Sequence, residues 1–395
     1  MRNKLFGSAK MVLGVGVLAS MGTVLAQPEI QIRRDIDIFN TRPIFVSMSG
    51  FTGEAAQVLE FDLYVQGFAF TNSESAQYLI SGSNNGNLQG RASDRFSKST
   101  LVAKAYSGAT LRHQAHAFAD DFVNAIPQHK GIARTKIAFK NDTGPTSEIF
   151  IADFDGHNAQ AATSDRSIVA APCWAPGARA LYYVSYSLNH PDIFYHDIPT
   201  KERRAFARYG GSNISPAVSP DGSKVAMILS KDGWIDLYVC NADRTGLTRL
   251  TRSREDESSP CWSPDGKWIC FAAKIKERRS LCKISASGGE VQRIPTSGVI
   301  NPTEPDWSPD GKWIVFTAMM GGFGICVVPS QGGKAFDLSV AGEDPSWAPN
   351  SRTVVFARRH NGVRTLSLLD VFTKQVKDVP RVSGNSSQSQ PSWAR

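Results

Sequence analysis

The chain has 395 residues, 41% of them hydrophobic, and carries a formal net charge of +8. It is too long for one ordinary domain, and it has enough apolar side chains for a large core. The positive charge is mild, and its clusters at residues 201–204 and 274–279 fall between repeats, where solvated loops are expected. The composition therefore gives little support to nucleic-acid binding.

The first 26 residues are predicted to be a secretory signal peptide. They contain a basic start at residues 2–10, an apolar run at residues 11–19, and small or tolerated side chains at residues 24–26. The apolar run is too short to cross a membrane easily, and residue 27 is Gln rather than the Cys of a lipidated N-terminus. We therefore expect a soluble, exported protein that begins near Gln27 and does not span a membrane.

Residues 27–130 contain no internal repeat and are predicted to form a small α/β domain. Apolar side chains at helical spacing predict a helix over residues 54–66, capped by Thr52, and a second helix that begins at Leu111 and ends at Pro127. Predicted extended segments or strands occupy residues 29–39, 43–48, 77–81, 90–97 and 100–106.

Two histidines, His113 and His116, lie three residues apart on the second predicted helix. That spacing could suit a metal ion, but the sequence offers no evident third ligand. We expect these side chains to pack or to form surface hydrogen bonds, and we predict no metal and no cofactor.

A proline two residues before a tryptophan recurs through residues 131–395, with a valine replacing the tryptophan in one copy. Successive prolines are 44, 44, 45, 40 and 46 residues apart, which is the length of a four-stranded propeller blade. The six phased copies predict an all-β six-bladed β-propeller over residues 131–395. The prolines are Pro172, Pro216, Pro260, Pro305, Pro345 and Pro391.

Each copy continues through a turn of the form Ser-Pro-Asp-Gly between its first two strands. Asp221, Asp265 and Asp310 recur at this turn, so we assign them to turn geometry rather than to metal binding or acid catalysis. Where the glycine is lost in one copy, Asn350 is predicted to take the left-handed position. The tryptophans are expected to pack between blades, since each occupies the same structural slot.

The last copy stops shortly after Trp393, so it has a first strand but no partner strands. Residues 134–139 show the pattern of a second strand without a first strand before it. Phe139 precedes Tyr183 by 44 residues, which matches the repeat. We therefore predict that the C-terminal strand completes the blade that begins near residue 134, so that both ends of the repeat region close the ring.

Six cysteines in an exported protein raise the question of disulfides. Cys173 and Cys261 occupy one slot of the repeat, and Cys282 and Cys326 occupy another, so the members of each pair belong to different blades. We expect most of the cysteines to be small apolar fillers. A local pair of Cys261 and Cys270 across a hairpin stays open.

The sequence resembles the TolB family, periplasmic proteins of the bacterial Tol–Pal system, over essentially the whole chain that follows the signal peptide. The resemblance is carried by the signal peptide, by TRPIFVSMSGF from Thr41, by HAFADDFVNAIPQHKGIARTKIAF from His116, and by the WSPDGKWIVF repeats. It implies a six-bladed propeller preceded by an α/β domain. It also implies a monomer without catalytic activity or cofactor in the periplasm.

The resemblance further implies two protein partners. A Pal-type peptidoglycan-associated lipoprotein would bind at the propeller mouth, and a TolA-type inner-membrane protein would bind the N-terminal segment, supporting outer-membrane integrity and constriction at cell division. The implied mouth residues are Ser212, Asn213, Ser215, Asp256, Glu257, Ser258, Asn301, Glu304, Glu343 and Asp344. The implied N-terminal residues are Gln27, Glu29, Gln31, Arg33, Arg34 and Asp35.

Two other classes of function stay open. A propeller peptidase needs a hydrolase domain with a G-x-S-x-G motif, which the sequence lacks. A lyase needs a metal or a basic cluster inside the ring, whereas the seven histidines are scattered. A glycan-binding propeller would be favoured by exposed aromatic side chains on the mouth loops, and few are visible in the sequence. The sequence therefore favours a binding scaffold, with a periplasmic enzyme (hydrolase or lyase) or a glycan-binding propeller as alternatives.

Overall fold

The computed structural model describes residues 38–395 except residues 109 and 385. These residues form a small α/β unit followed by a six-bladed β-propeller, which confirms the predicted fold class. No helix in the described part of the chain is long and apolar enough to cross a membrane.

The α/β unit is a five-stranded sheet covered by two helices. The sheet order is β2-β1-β3-β4-β5, with β1 parallel to both of its neighbours and the remaining pairs antiparallel. Both helices contribute to the same buried cluster as the inner face of the sheet. The elements are β1 (Ile44–Ser49), α1 (Gly53–Tyr64), β2 (Phe68–Phe70), β3 (Tyr78–Ser83), β4 (Gln89–Asp94), β5 (Thr100–Ala105) and α2 (Leu111–Asn124).

Helix capping in the α/β unit differs from the prediction at one end. Thr52 lies at the N-cap of α1, but its side chain makes no capping hydrogen bond, because Thr52 bonds Asn84 instead. Thr110 is the residue that caps a helix with its side chain, since its hydroxyl accepts the amide of His113 at the start of α2. Strand β2 was not predicted, because three residues are too few to show an alternating pattern.

The propeller consists of six four-stranded sheets. We number the blades in chain order: from the inside outward, blade 1 is β31-β6-β7-β8, and blades 2 to 6 follow. Blade 1 contains β31 (Ser387–Trp393), β6 (Lys136–Asp142), β7 (Ser147–Asp153) and β8 (Gln160–Ala161). Blade 2 contains β9 (Val169–Trp174), β10 (Ala180–Ser185), β11 (Asp192–Asp197) and β12 (Arg203–Ala207), with a 3-10 turn at Pro176–Ala178.

Blades 3 to 6 repeat this order from the innermost strand outward. Blade 3 contains β13 (Asn213–Val218), β14 (Lys224–Leu229), β15 (Asp236–Asn241) and β16 (Thr248–Arg249). Blade 4 contains β17 (Glu257–Trp262), β18 (Trp268–Ile275), β19 (Arg278–Ser285) and β20 (Gln292–Ile294). Blade 5 contains β22 (Ile300–Trp307), β23 (Trp313–Met319), β24 (Phe323–Pro329) and β26 (Phe336–Ala341). Blade 6 contains β27 (Glu343–Trp347), β28 (Thr353–His360), β29 (Val363–Asp370) and β30 (Val376–Asp378). A short parallel ladder joins β21 (Thr296–Ser297) to β25 (Gly333–Lys334).

The antiparallel order of each blade gives the ring two distinct faces. The face on which every innermost strand begins also carries the loops between the second and third strands; we call it the mouth face. The opposite face, which we call the base face, carries the turns between the first and second strands and between the third and fourth. The mouth loops are therefore separate from the Ser-Pro-Asp-Gly turns.

Blade 1 combines strands from both ends of the repeat region. Strand β31 pairs antiparallel with β6, with Trp393 opposite Ile137 and Ser387 opposite Asp142. This is the pairing that the phase of the repeats predicts. It leaves no unpaired strand at the seam of the ring.

The base-face turns confirm the assignment of the repeated aspartates to turn geometry. In one copy the Ser219 hydroxyl donates to the carboxylate of Asp221, and the amide of Lys224 donates to Ser219. The same contacts recur at Asp265 and Asp310. The prediction for Asn350 was wrong in one respect. Ser351 takes the left-handed position (φ 52°), whereas Asn350 takes the place of the aspartate and accepts the amide of Arg352.

The α/β unit packs on the base face of blades 1 and 6. The hydroxyl of Thr353 donates to the backbone carbonyl of Val65 (3.1 Å). The side-chain amide of Gln375 donates to the backbone carbonyl of Phe68 (2.9 Å). Buried side chains of the unit also share one apolar cluster with blade 1. The mouth face lies on the opposite side of the ring from this contact.

Replacing Trp393 by alanine is expected to lower the free energy of unfolding by about 3–5 kcal/mol, the range for removing a buried tryptophan. Trp393 is 2% exposed, and its indole donates to Thr135 across the seam (2.8 Å). The matched control is Trp234→Ala, because Trp234 is 48% exposed and its removal is expected to change stability by less than about 0.5 kcal/mol. Urea unfolding of the three proteins measures the difference, and equal losses for both variants would contradict the seam assignment.

Candidate functional site: the propeller mouth and channel

The innermost strands of the six blades enclose a central channel. It contains a cavity of about 460 Å³ lined by the repeated Pro-x-Trp segments, including the six repeat prolines. The channel is therefore built from the same positions in every blade, and its chemistry depends on which side chains occupy those positions.

The residue before the proline has a left-handed backbone in all six blades. At each of these residues, the pairing between the first and second strands shifts register, which marks a β-bulge. A proline disfavours the right-handed helical conformation of the residue before it, and the left-handed one is costly for a residue other than glycine. The six residues are Ala171 (φ 48°), Ser215 (51°), Ser259 (51°), Glu304 (52°), Asp344 (55°) and Gln390 (50°).

On one side of the channel these bulged residues form a chain of hydrogen bonds from blade to blade. The amide of Asp344 donates to the Glu304 carboxylate (2.9 Å), and the amide of Gln390 donates to the Asp344 carboxylate (3.0 Å). The amide of Ala171 then donates to the side chain of Gln390 (2.9 Å). The acidic wall of the channel therefore belongs to blades 5 and 6, whereas blades 2 to 4 present Ala171, Ser215 and Ser259.

The tryptophan slot forms a second set of contacts between blades, nearer the base face. Three of the five indole groups donate to the backbone of the preceding blade: Trp174 to Ser392 (3.1 Å), Trp262 to Ala217 (2.9 Å) and Trp347 to Asp306 (3.1 Å). Trp307 donates instead to Gly311 of its own blade (3.2 Å). This confirms the predicted packing of these tryptophans between blades.

Arg395 lines the channel near its base end. Its guanidinium donates to the carbonyls of Trp347 (3.1 Å) and Trp307 (3.2 Å) and forms an ion pair with Asp306. This side chain therefore links blade 1 to blades 5 and 6.

The predicted mouth residues separate into several groups in the structure. Ser215, Glu304 and Asp344 line the channel together. Ser258 and Asn301 are joined through one arginine, since the Arg279 guanidinium donates to Ser258 (3.2 Å) and its amide donates to Asn301 (3.3 Å).

The remaining surface candidates lie around this centre. Asp256 is exposed, as is Asn301, whereas Ser212 is half-buried and donates its amide to Ser230 (2.7 Å). Glu343 is half-buried and forms an ion pair with Arg364. Among these, Asp256 and Asn301 offer the most accessible polar groups.

Two of the predicted mouth residues are buried. Asn213 is 0% exposed, and its amide group bonds the backbone of Tyr209 (2.9 Å) and Gly211 (3.2 Å). Glu257 is 3% exposed, and its carboxylate accepts hydrogen bonds from Leu237 and Thr251. Both side chains hold the loops in place and present no surface to a partner. The sequence did not reveal this, because several of the partners are backbone groups and the side-chain partners, such as Thr251, are brought close only by the fold.

The predicted N-terminal partner-binding residues lie outside the described residues. They are Gln27, Glu29, Gln31, Arg33, Arg34 and Asp35.

Exposed apolar side chains on the mouth face are the feature that the sequence analysis missed. Of the twelve exposed large hydrophobic side chains in the described residues, eight lie on mouth loops of blades 2 to 5. Three of these side chains are aromatic, and they are exposed at 39–50%. The eight are Ile168, Tyr186, Leu188, Trp234, Ile275, Ile300, Met320 and Phe323. The sequence signal that could have predicted these exposed side chains is an apolar residue within a turn between two strands.

The described residues offer no group of three or more His, Cys, Asp or Glu side chains arranged to hold a metal ion. All six cysteines are free, although Cys261 and Cys270 lie directly opposite each other in β17 and β18. His113 is exposed and bonds Thr110, whereas His116 is buried.

Comparison with known proteins places this architecture in a family. The family model described as the TolB beta propeller domain matches residues 123–395. The chain belongs to the TolB family. The match spans all six blades and includes the end of α2.

Curated relatives and solved structures extend this comparison. The Tol-Pal system protein TolB of Bordetella pertussis is 32% identical over 203 residues, which cover 51% of this chain and 46% of the relative. The TolB proteins of Bordetella parapertussis and Bordetella bronchiseptica match over the same length and at the same identity. The chain thus matches about half the length of these relatives.

The fold of a TolB crystal structure from Acinetobacter baumannii is similar, with a TM-score of 0.80 and 21% identity over 90% of this chain and 97% of that one. A putative TolB from Agrobacterium tumefaciens gives a TM-score of 0.53 at 16% identity, over 66% of this chain and 99% of that one. At these identities the likeness concerns the fold.

Replacing Glu304 by glutamine is expected to stabilise the protein above neutral pH. Burial and the Glu304 charge raise the pKa of Asp344 from 3.8 to about 7. The folded state therefore keeps a proton that the unfolded state releases, so stability falls as the pH rises from about 4 to about 7. Glutamine removes the like charge but keeps an acceptor for the Asp344 amide, so the gain at pH 8 should be about 1 kcal/mol after allowance for partial exposure.

Urea unfolding at pH 5 and pH 8 measures this effect. Asp256→Asn is the control, because it removes an exposed acid from the same face. An identical loss of stability between the two pH values in Glu304→Gln and the parent would show that Glu304 does not act on Asp344.

Proposed function

We propose that the protein is a non-catalytic periplasmic scaffold of a Tol–Pal system. A Pal-type lipoprotein would bind the mouth face, and a TolA-type protein would bind the N-terminal segment, so that the protein supports outer-membrane integrity and constriction at cell division. The observation that carries the mouth assignment is the concentration of exposed apolar side chains on the free face of the propeller.

The mouth face has the composition of a protein-binding surface. Trp234 and Phe323 are 48% and 50% exposed, and aromatic anchors of this kind dominate the energy of protein interfaces. The channel is lined by small side chains on blades 2 to 4 and by carboxylates on blades 5 and 6. A partner that fits would present an apolar surface together with a basic group that approaches Glu304 and Asp344.

The channel carboxylates support binding rather than turnover. Glu304 accepts hydrogen bonds from the Thr317 hydroxyl (2.6 Å) and the Asp344 amide, and Asp344 accepts the Gln390 amide. These acids therefore hold neighbouring blades together.

Replacing Trp234 and Phe323 together by alanine is expected to weaken binding of the lipoprotein at least tenfold, because each removes an aromatic anchor. The measurement is a pull-down with the exported protein from native envelope extract, followed by titration of the purified lipoprotein. The matched control is Val291→Ala, since Val291 is 41% exposed but lies in a base-face turn. Failure to recover a Pal-type lipoprotein, or equal binding by the parent and the double variant, would contradict the mouth assignment.

Removing residues 27–35 is expected to leave the fold intact and to weaken binding of a TolA-type protein. This segment precedes the described residues, and an extended N-terminal segment can pair with the sheet of another protein. Thermal unfolding checks the fold, and titration with the TolA-type protein checks binding. Unchanged affinity would refute this part of the proposal.

A glycan ligand is the second candidate, and the exposed rings of Tyr186, Trp234 and Phe323 favour it. These rings lie on different blades and alternate with aliphatic side chains, which fits a protein surface better. Titration with peptidoglycan fragments separates the two. Binding of fragments that Trp234→Ala abolishes would support the glycan reading.

A further inference from the structure

A buried cluster of charged side chains joins the α/β unit to blade 1. It consists of Asp62 on α1, Arg112 and His116 on α2, and Asp155 in the turn after β7; we call it the His116 cluster. Asp62, Asp155 and His116 are 0%, 1% and 4% exposed. Charged groups are buried to this extent only when they have partners, so the cluster must be held together by its own contacts.

His116 lies between two carboxylates that belong to different parts of the chain. Its Nδ1 atom is 2.8 Å from a carboxylate oxygen of Asp62, and its Nε2 atom is 3.4 Å from one of Asp155. Asp62 belongs to the α/β unit and Asp155 to the propeller. The Arg112 guanidinium also forms an ion pair with Asp155. The imidazole ring therefore spans the contact between the two parts.

The protonation state of His116 decides whether both contacts can form. A neutral imidazole has one N–H donor, whereas the imidazolium has two. Burial lowers the pKa of His116, but the charges of Asp62 and Asp155 and the hydrogen bond with Asp62 outweigh it and raise the pKa from 6.5 to about 10. Burial likewise opposes the charge on Asp155, but His116 and Arg112 outweigh it and hold its pKa below 3.8.

Other charged groups face the cluster from each packed element. They are Glu54 on α1, which binds Arg112, Asp120 on α2, and Asp153 and His157 in and beside the β7–β8 turn. Asp120 and Asp153 each pair with a cation of their own, Arg134 and Lys136 respectively. The charge balance at His116 is therefore set mainly by Asp62 and Asp155.

We propose that the proton on His116 couples the α/β unit to the propeller: the imidazolium holds Asp62 and Asp155 together, and its loss lets α2 and the β7–β8 turn separate locally. Between about pH 6.5 and pH 10 the closed form holds a proton on His116 that the open form releases, so raising the pH over this range favours opening. The contacts on blade 6, from Thr353 to Val65 and from Gln375 to Phe68, contain no titratable group and do not share this dependence.

Hydrogen exchange of the full chain tests this coupling. Between pH 7 and pH 9, protection of residues 111–124 and 153–158 should fall about tenfold per pH unit, after correction for intrinsic exchange rates. Residues 65–70, which contact blade 6, should show no such dependence. NMR of the imidazole in the same protein should show His116 still protonated at pH 8.5.

Two variants separate the proposal from a merely structural role. His116→Gln keeps a hydrogen-bonding side chain but cannot titrate, so the pH dependence should disappear and protection should be low throughout. Asp155→Asn changes the propeller side alone and should lower the pKa of His116 by NMR. Protection in the parent that is equal at pH 7 and pH 9, or a pH dependence that persists in His116→Gln, would overturn the proposal. If His116→Gln does not fold, an unchanged His116 pKa in Asp155→Asn would overturn it as well.

Discussion

The bulge before the proline of each innermost strand is the constraint on which the channel depends. At this residue the backbone has φ near +50° and the pairing with the second strand is interrupted in all six blades. In blades 5, 6 and 1 the side chain of this residue accepts a hydrogen bond from a backbone amide of the next blade. A left-handed residue of this kind costs about 1–3 kcal/mol and persists only where the surrounding ladder fixes it. The strained backbone recurs in every blade because this position supplies side chains that line the channel, and some of them bridge neighbouring blades.

The blade count and the closure of the ring could be predicted because both depend on a local pattern repeated at a fixed period. The burial of individual mouth residues could not be predicted from the sequence. Asp256 and Glu257 are neighbours of the same chemical type, yet one is exposed and the other accepts the distant Leu237 amide. The exposure of Trp234 was equally hidden, because the sequence shows an apolar side chain but not which way its loop directs it.

The two faces of the ring differ because each carries a different set of the connections between strands. On the base face, the repeated turns are held by hydrogen bonds between serine and aspartate side chains, such as Ser219 to Asp221. The α/β unit also covers blades 1 and 6 on this face. The mouth loops carry no such repeated chemistry. The amino-acid sequence of these loops can change without disrupting the strands of the blade. Apolar side chains can therefore occur there while the core stays unchanged.

Asp344 and Asp155 show how the same side chain behaves differently on the two faces. Burial opposes the charge of both. At the mouth, Asp344 has Glu304 as its nearest charged influence, and its pKa rises to about 7. At the base, Asp155 has His116 and Arg112, and its pKa falls. A cation brought to the mouth by a partner would act on Asp344 as His116 acts on Asp155, so binding there would release a proton from the channel. The base contact contains its cations, His116 and Arg112, within the chain, whereas at the mouth the charge of Arg364 does not offset the effects of burial and Glu304 on Asp344.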